Sequence, residues 1–192
     1  YELNITYVSA LSEPGDDALT VERVLCSQAL AFSFRGMPAV YIHTLLGTPN
    51  WQAGFEETGR NRTLNRRHYH ESEINEILAD PDSIQTKIMN RLVRLLRRRS
   101  THSAFHPDGA MIVHDLGSEL FGFTRISPDE QEVIICIFNF TAKKQSIKNP
   151  GNTPLLKSVK QFYDIVSGKT LGSGRSGLVL DPYQALWLVP RS

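Results

Sequence analysis

Apolar side chains recur at helical spacing in two long segments of the first hundred residues. The segment from Asp17 to about Phe34 has this period, and Arg35-Gly36 ends it, since Gly is common just past a helix end. The segment from about Asp82 to Arg99 places its larger apolar residues on one face: Ile84, Ile88, Leu92, Leu95 and Leu96. A short helix is predicted between them, at about Ser72–Ala79. The first half of the chain is therefore predicted to be mainly helical.

One continuous apolar run interrupts this helical pattern. Pro38-Ala39-Val40-Tyr41-Ile42 is rich in β-branched and aromatic residues, which predicts a strand buried on both faces, as in parallel sheets. Residues 43–70 follow without a sustained period, which predicts a long irregular loop of the kind that often carries function. A helix followed closely by a buried strand is half of an α/β unit. Because one such strand cannot complete a core, residues 1–101 are interpreted as the last part of an α/β domain.

After Ser100 the period shortens and turn residues separate the apolar runs. Strands are predicted at His114–Leu116, Leu120–Arg125, Glu132–Asn139, Gln145–Lys148, Lys160–Val166 and Tyr183–Val189. Short strands at this spacing indicate an antiparallel β-sandwich, so residues 102–192 are predicted to form a second, all-β domain.

Composition narrows the function classes. The 192 residues carry 21 basic and 20 acidic side chains, a formal net charge of +1, which argues against a primary role on nucleic acid. No apolar run approaches the ~20 residues of a membrane-spanning helix, so no membrane partner is expected. Cys26 and Cys136 lie in apolar runs and are predicted to be buried free thiols. With no signal peptide at Tyr1, these features predict a cytoplasmic protein.

The arginine-rich part of the 43–70 segment is the first candidate for chemistry. Its Arg and Asn side chains are planar, directional donors for hydroxyls, carboxylates and phosphates: Arg60, Asn61, Arg62, Asn65, Arg66 and Arg67. The alternative is a solvated loop whose arginines cap helices or pair with Glu56, Glu57 and Glu71. In contrast, Arg97-Arg98-Arg99 lie at the end of a predicted helix. Their role is interpreted as structural, because the helix dipole favours cations at that end.

The histidines support no metal site. His68-x-His70 and His102…His106 lack a Cys or carboxylate at metal-ligand spacing. His43 directly follows the predicted strand, where it would either face a substrate or form a structural hydrogen bond. No carboxylate is placed as part of an acid/base pair, so no catalytic residue is assigned to this chain.

Three segments together resemble the sucrose phosphorylases of the α-amylase superfamily, glycoside hydrolase family 13. Gly36-Met37-Pro38-Ala39-Val40-Tyr41 resembles the Gly-x-Pro-x-x-Tyr of the eighth barrel strand. The run from Tyr1-Glu2 to Leu11 resembles Tyr-Gln-x-Asn-x-Thr-Tyr-x-Ser-Ala-Leu, and Arg62-Thr63-Leu64-Asn65-Arg66 resembles Arg-Asp-Ile-Asn-Arg. The resemblance implies an α+β fragment, made of the last helix/strand/helix units of a (β/α)8 barrel and a carboxy-terminal β-sandwich.

The same resemblance implies roles for individual residues. Arg62 would hold the glucosyl 4-hydroxyl, and Tyr1 and Glu2 would belong to the acceptor subsite, where Glu2 in place of Gln would repel phosphate. The arginine-rich loop adds Arg60 and Asn65 to the expected substrate-binding set, and the position after the predicted strand adds His43. The family's aspartate nucleophile, glutamate acid/base and second aspartate lie on earlier barrel strands, upstream of Tyr1.

The implied function is that of a retaining α-glucosyl phosphorylase acting on sucrose, glucosylglycerate or sucrose 6-phosphate. Its ligands would be the glucoside donor and inorganic phosphate, without metal or organic cofactor. Its further partner would be the amino-terminal part of the same protein, and the isolated chain would be inactive. The alternative is a non-catalytic β-sandwich module that binds carbohydrate or a partner chain.

Overall fold

A computed structural model describes residues 3–147, 156, 159–172 and 177–191. The chain forms two compact units, one of residues 1–25 and 39–94 and the other of residues 26–38 and 95–192. The divisions fall inside both long helices. The predicted domain boundary between residues 101 and 102 follows the change of sequence pattern, and it stays a prediction.

The first unit is helical. Its elements are α1 (Tyr7–Leu11), the start of α2 (Asp17–Ser33), α3 (Ile42–Leu45), α4 (Gln52–Thr58), the 3₁₀ helix Asn61–Asn65, α5 (Glu71–Ala79) and most of α6 (Ile84–Ser100). The long helices bury the apolar faces that their sequences predicted, with Val24, Ile88 and Leu92 fully enclosed. Asp16 caps α2 by accepting a bond from the Leu19 amide.

Gly47 allows close packing in this unit. It has φ +63°, and a Cβ there would lie 3.0 Å from the Gln85 Cα and 3.3 Å from Ile88 Cδ1. Both the left-handed backbone and the close approach to α6 favour glycine. The turn after α3 is thereby fixed against α6.

The second unit contains an antiparallel sheet of six strands in the order β1-β2-β3-β8-β5-β6. The strands of both sheets are β1 (Ala110–His114), β2 (Leu120–Ile126), β3 (Val133–Asn139), β4 (Gln145–Ser146), β5 (Gln161–Asp164), β6 (Lys169–Gly172), β7 (Val179–Leu180) and β8 (Ala185–Arg191). β4 and β7 form the second sheet, which has two strands. This confirms the predicted antiparallel β structure.

β3 lies inside the sheet and is buried on both faces. Ile135 and Ile137 join an apolar cluster with residues of the small sheet, such as Leu180. On the other face, Cys136 pairs with Trp187 of β8, whose ring centroid lies 4.6 Å from that of Phe105, and the Phe138 and Phe123 rings have centroids 5.9 Å apart. Alternate residues of β3 thus belong to two cores, which explains its uninterrupted apolar sequence.

Arg125 is the largest departure from an apolar interior. Its side chain is fully buried on β2 and donates to the carbonyls of Ala110, Ser33 and His106 at 3.2, 2.7 and 2.7 Å. Burial lowers the pKa of this guanidinium. One side chain thereby satisfies the end of α2, the turn after α6 and the start of β1.

Three local predictions were wrong. Residues 38–42 form no strand, and Tyr41 and Ile42 are 55% and 52% exposed. Among the described residues both sheets begin at or after Ala110, so this segment has no neighbour to pair with. The 43–70 segment contains α3, α4 and a 3₁₀ helix, each too short to show a period. The first strand, β1, ends at His114, whereas the predicted strand began there. The burial of β1 does not alternate from residue to residue, so its sequence carries no strand period.

Candidate functional site

His43 is held inside the first unit by the turn that begins α3. Its Nδ1 lies 3.1 Å from the Thr48 hydroxyl, and its carbonyl accepts from the Thr48 amide at 2.9 Å. The ring lies edge-on to Tyr41, with centroids 5.1 Å apart. Burial lowers the pKa of His43, and the nearby His68 lowers that pKa further. A neutral imidazole at this position is a hydrogen-bonding group and not a fixed charge.

The arginine-rich segment is fastened at both ends. Gly59 ends α4 in the left-handed conformation, with φ +63°. The Trp51 amide donates to the Leu64 carbonyl at 2.9 Å, and the hydroxyls of Thr58 and Thr63 lie 2.9 Å apart. The 3₁₀ helix Asn61–Asn65 is therefore hydrogen-bonded to both ends of α4. These bonds fix the backbone from which the side chains of the 3₁₀ helix extend.

Arg67 anchors the following residues. It makes a 2.9 Å ion pair with Glu73, and its guanidinium lies 4.4 Å from the Tyr69 ring centroid and 5.8 Å from that of Trp51. Glu73 also accepts the His70 amide at 2.8 Å, at the start of α5. The hydrogen bond from the His70 amide lowers the pKa of the Glu73 carboxyl, and the Arg67 guanidinium lowers that pKa further. The pairing with Glu73 differs from the expected Glu56, Glu57 or Glu71.

A cavity of about 690 Å³ opens between these elements. It is lined by Tyr41, Ile42, His43, Asn65, Arg66, Arg67, His68, Tyr69 and Ile74. Two arginines and two histidines are among the nine residues, and no carboxylate is. The His43 ring centroid lies 6.2 Å from that of Tyr69, so aromatic rings form part of the wall. The arrangement suits a small anionic or polyhydroxylated ligand.

The predicted site residues are only partly brought together. His43 and Asn65 line the cavity, whereas Arg60 and Arg62 are exposed and are not among its lining residues. Asn65 donates to the Leu3 carbonyl at 3.4 Å, and its Oδ1 is buried without a hydrogen-bond partner within the described part of the chain. Tyr1 and Glu2 lie outside the described residues.

Sequence reasoning included Arg66 and Arg67 in the arginine-rich candidate loop, but it missed the cavity residues His68 and Tyr69 as ligand-binding candidates and the pairing of Arg67 with Glu73. The spacing of His70 and Glu73 matches that of a capping box, which is the one signal that could have identified Glu73. In the part of the chain that the structure describes, no three His, Cys, Asp or Glu side chains are grouped to hold a metal ion. None of the described helices is long and apolar enough to span a membrane.

Comparison with known proteins gives three informative relatives. The chain is 36% identical to the glucosylglycerate phosphorylase of Spirochaeta thermophila and 35% identical to that of Allomeiothermus silvanus, over 99% and 98% of its own length. It is also 35% identical to the sucrose phosphorylase of Agrobacterium vitis over 118 residues, 62% of this chain and 22% of that protein. The chain spans about a third of the glucosylglycerate phosphorylases, 34% and 31%. No family model matches the chain.

Solved structures agree on the fold. The structure of AmyP with maltotriose matches 96% of this chain and 37% of its own, with a TM-score of 0.70 at 15% identity. The α-amylase of Geobacillus thermoleovorans with acarbose matches 90% of this chain and 34% of its own, with a TM-score of 0.61 at 16% identity. At these identities the likeness concerns the fold alone.

Together, the relatives and the fold show that the chain belongs to glycoside hydrolase family 13, the α-amylase superfamily. Within it, the chain corresponds to the carboxy-terminal part of a sucrose-phosphorylase-like enzyme. Because the glucosylglycerate phosphorylases match both the helical and the β-rich parts, the comparison favours the enzyme over a freestanding β-sandwich module.

Proposed function

We propose that this chain is the carboxy-terminal portion of a retaining α-glucosyl phosphorylase whose donor is glucosylglycerate, or the related glucosides sucrose and sucrose 6-phosphate. The match to glucosylglycerate phosphorylases over nearly the whole chain carries this proposal. In it, inorganic phosphate is the acceptor, and the remainder of the protein supplies the three catalytic carboxylates. No metal or organic cofactor is required.

In this proposal residues 1–101 complete a (β/α)8 barrel and residues 102–192 form a β-sandwich. The segment 38–41, which forms no strand in the described structure and precedes α3, would then become the last barrel strand by pairing with strands from the rest of the protein. Its apolar sequence, the extended backbone at Tyr41 and the exposure of that side chain support this assignment. The two buried free thiols, Cys26 and Cys136, support a reducing, cytoplasmic location.

The chain's proposed part in catalysis is to hold the substrate. Arg62 would donate its guanidinium to the glucosyl 4-hydroxyl from the 3₁₀ helix, whose attachment to α4 limits its movement. Neutral His43 and Asn65 would bind hydroxyls from the cavity wall. Tyr1, Glu2 and Arg60 complete the proposed set. These residues position the donor, and positioning accounts for much of enzymatic rate enhancement.

The proposal is tested by assaying the full-length protein that contains this chain. Glucose 1-phosphate release from glucosylglycerate, sucrose and sucrose 6-phosphate is measured in the presence of inorganic phosphate. We expect phosphate-dependent turnover of at least one donor. Release of free glucose alone, without dependence on phosphate, would instead identify a hydrolase.

The 192-residue chain assayed alone is the second part of this test. Because the proposed nucleophile and acid/base lie outside it, the purified chain should show no turnover above the buffer blank. Its mass is verified first, so that traces of a longer form are excluded. Phosphorolysis by the verified chain would mean that catalytic carboxylates lie within it.

A further inference from the structure

The segment from Leu3 to Ser9 has little packing to hold it in place. Every second side chain from Leu3 to Tyr7 is exposed, and within the segment only Thr6 and Val8 are buried. A segment with so few buried contacts opens easily unless hydrogen bonds fix it to its surroundings. Specific hydrogen bonds therefore determine where residues 3–9 lie.

Asn50 makes two of these hydrogen bonds. Its side-chain Oδ1 accepts the Thr6 amide at 2.8 Å, and its own amide donates to the Ser9 hydroxyl at 2.9 Å. Thr6 and Ser9 also bind each other, because the Thr6 hydroxyl caps α1 by accepting the Ser9 amide at 3.2 Å. One residue that is distant in sequence thus binds both partners of the α1 cap.

The backbone that carries Asn50 is itself fixed on both sides. Before it, the amide and hydroxyl of Thr48 hold the turn after α3 to His43. After it, the Trp51 amide donates to the Leu64 carbonyl of the 3₁₀ helix at 2.9 Å. Neighbouring residues of one turn therefore bind the start of α1 and the 3₁₀ helix.

Asn65 adds a second link between the same two parts of the unit. It is the last residue of the 3₁₀ helix, and its Nδ2 donates to the Leu3 carbonyl at 3.4 Å. That distance is longer than the usual range for an N–H donor, whereas both bonds of Asn50 fall within it. Asn50 is therefore the stronger of the two anchors.

We propose that Asn50 is a positioning residue that fixes residues 3–9 relative to the 3₁₀ helix of the arginine-rich segment. Residues 3–9 directly follow Tyr1 and Glu2 of the proposed acceptor subsite, and the 3₁₀ helix carries Arg62 of the proposed donor subsite. The inference rests on the proposed function for these two roles. Asn50 thereby sets the spacing of acceptor and donor through the segment that it holds, and such spacing strongly affects rates.

Hydrogen exchange in the full-length protein, followed by mass spectrometry, tests the anchor. Asn50→Leu removes the acceptor of the Thr6 amide, so the peptide that covers residues 3–11 should exchange about tenfold faster. Asn50→Asp keeps an acceptor oxygen and should exchange at nearly the original rate. Asn90→Leu, at an exposed position of α6, is the matched control and should leave this peptide unchanged. Unchanged exchange in Asn50→Leu overturns the proposal.

Ser9→Ala provides an independent variant in case Asn50→Leu does not fold. It removes the acceptor of the Asn50 amide and leaves the Asn50 side chain in place. Exchange of residues 3–11 should again accelerate, by about threefold or more. Thermal unfolding confirms that each variant is folded. If Ser9→Ala is folded and exchanges at the original rate, the bonds of Asn50 do not hold this segment.

Phosphorolysis kinetics of the same variants separate positioning from a purely structural role. Asn50→Leu should raise KM for inorganic phosphate by about fivefold or more. KM for the glucosyl donor should change by less than about twofold, because the 3₁₀ helix keeps its own bonds to α4. Equal rises in both KM values, or an unchanged phosphate KM despite faster exchange, overturn the positioning role.

The two measurements can fail separately. If the full-length protein shows no phosphorolysis, the proposed function fails, and the exchange data alone decide whether Asn50 holds residues 3–9. If phosphorolysis is present and Asn50→Leu exchanges like the original protein, the proposed function stands and the anchor is rejected.

Discussion

Asp164 shows how one carboxylate can organise several backbone groups. It is buried at the end of β5 and accepts the amides of Val166, Ser167 and Trp187 at 3.1, 2.9 and 3.0 Å. Burial raises the pKa of this carboxyl, although the three bonds oppose the shift. The side chain thus acts as a fixed acceptor that joins β5, its turn and β8.

Asp164→Ala should lower the free energy of unfolding by about 2–4 kcal/mol, because three amides, of which that of Trp187 is buried, would lose their acceptor. Asp115→Ala is the control, since Asp115 is exposed and accepts one turn amide. That variant should lose less than about 1 kcal/mol. Chemical denaturation monitored by circular dichroism gives both values. Equal losses would mean that the three amides find other acceptors.

His43 should make stability depend on pH. Its pKa in the folded chain is below the value of about 6.5 for a free histidine, so the unfolded chain binds the proton more readily. The folded state is therefore favoured above pH 6.5, and this contribution is lost as the pH falls. His43→Gln removes it while retaining a partner for Thr48.

The free energy of unfolding should thus fall less steeply between pH 7 and 5 in His43→Gln than in the original chain. Denaturant titrations at several pH values in this window measure the two slopes. His114, whose pKa is also lowered by burial, is present in both proteins, so the difference reports His43 together with its interaction with His68. Identical slopes would contradict a depressed pKa.

At the scale of elements, the end of α6 shows more than a helix dipole. Arg98 donates to the carbonyls of Ile165 and Val166 at 2.6 and 2.7 Å. Arg99 donates to those of Phe32, Gly36 and Phe105 at 2.6, 3.3 and 2.9 Å. The two arginines join α6 to the end of α2, to the turn after α6 and to the turn after β5. The dipole assignment understated their role.

Arg99→Lys should cost about 1–3 kcal/mol of stability, because an ammonium cannot reach three carbonyls that a planar guanidinium bridges. Arg97→Lys is the matched control, since Arg97 is exposed on the same turn. Its effect should stay within about 0.5 kcal/mol. Thermal and denaturant unfolding of the pair measure the difference. If the Arg99→Lys and Arg97→Lys variants are equally stable, the carbonyl bonds of Arg99 add nothing beyond its interaction with the helix dipole.

Sequence patterns predicted the elements that bury a regular face. α2, α5 and α6 match their predicted bounds within about two residues. β2 and β3 are also close to prediction, because their sequences are nearly continuous in apolar residues. Elements without a regular face escaped detection: α1, α3, α4, β6 and β7. Each of these is seven residues or shorter.

The candidate site was less predictable because its geometry depends on contacts between distant residues. His43 was predicted because it follows the expected strand, Asn65 was predicted as part of the arginine-rich loop, and both line the cavity. Arg67 and Glu73 are six residues apart, a spacing that no helical or strand pattern singles out. The segment 38–42 failed for a different reason, since a strand needs a partner that local sequence does not reveal.

At the scale of the whole molecule, Arg62 tests the proposed role of the chain in a complete enzyme. Arg62→Ala in the full-length protein should lower kcat/KM for the glucosyl donor by about tenfold to a hundredfold, because a charge-assisted hydrogen bond is lost. Arg62→Lys should not rescue activity, since it lacks the planar fork. Steady-state kinetics at varied donor concentration measure the change.

Arg97→Ala is the control for this kinetic prediction as well. It removes an arginine that lies at the end of α6 and takes no part in the proposed site. Its kcat/KM should equal that of the unaltered enzyme. If Arg62→Ala and Arg97→Ala are both folded and equally active, the donor does not depend on Arg62.

The two cysteines can report local opening of the second unit. Cys26 and Cys136 are almost fully enclosed, and burial raises the pKa of the Cys136 thiol. A thiol reagent can therefore modify them only during transient opening of the structure around α2 and β3. The rate at which a dilute thiol reagent labels the cysteines therefore measures how often those openings occur. This labelling measurement requires no engineered probe. It reports the opening of the β-rich unit, since both cysteines belong to that unit and not to the unit that contains the cavity.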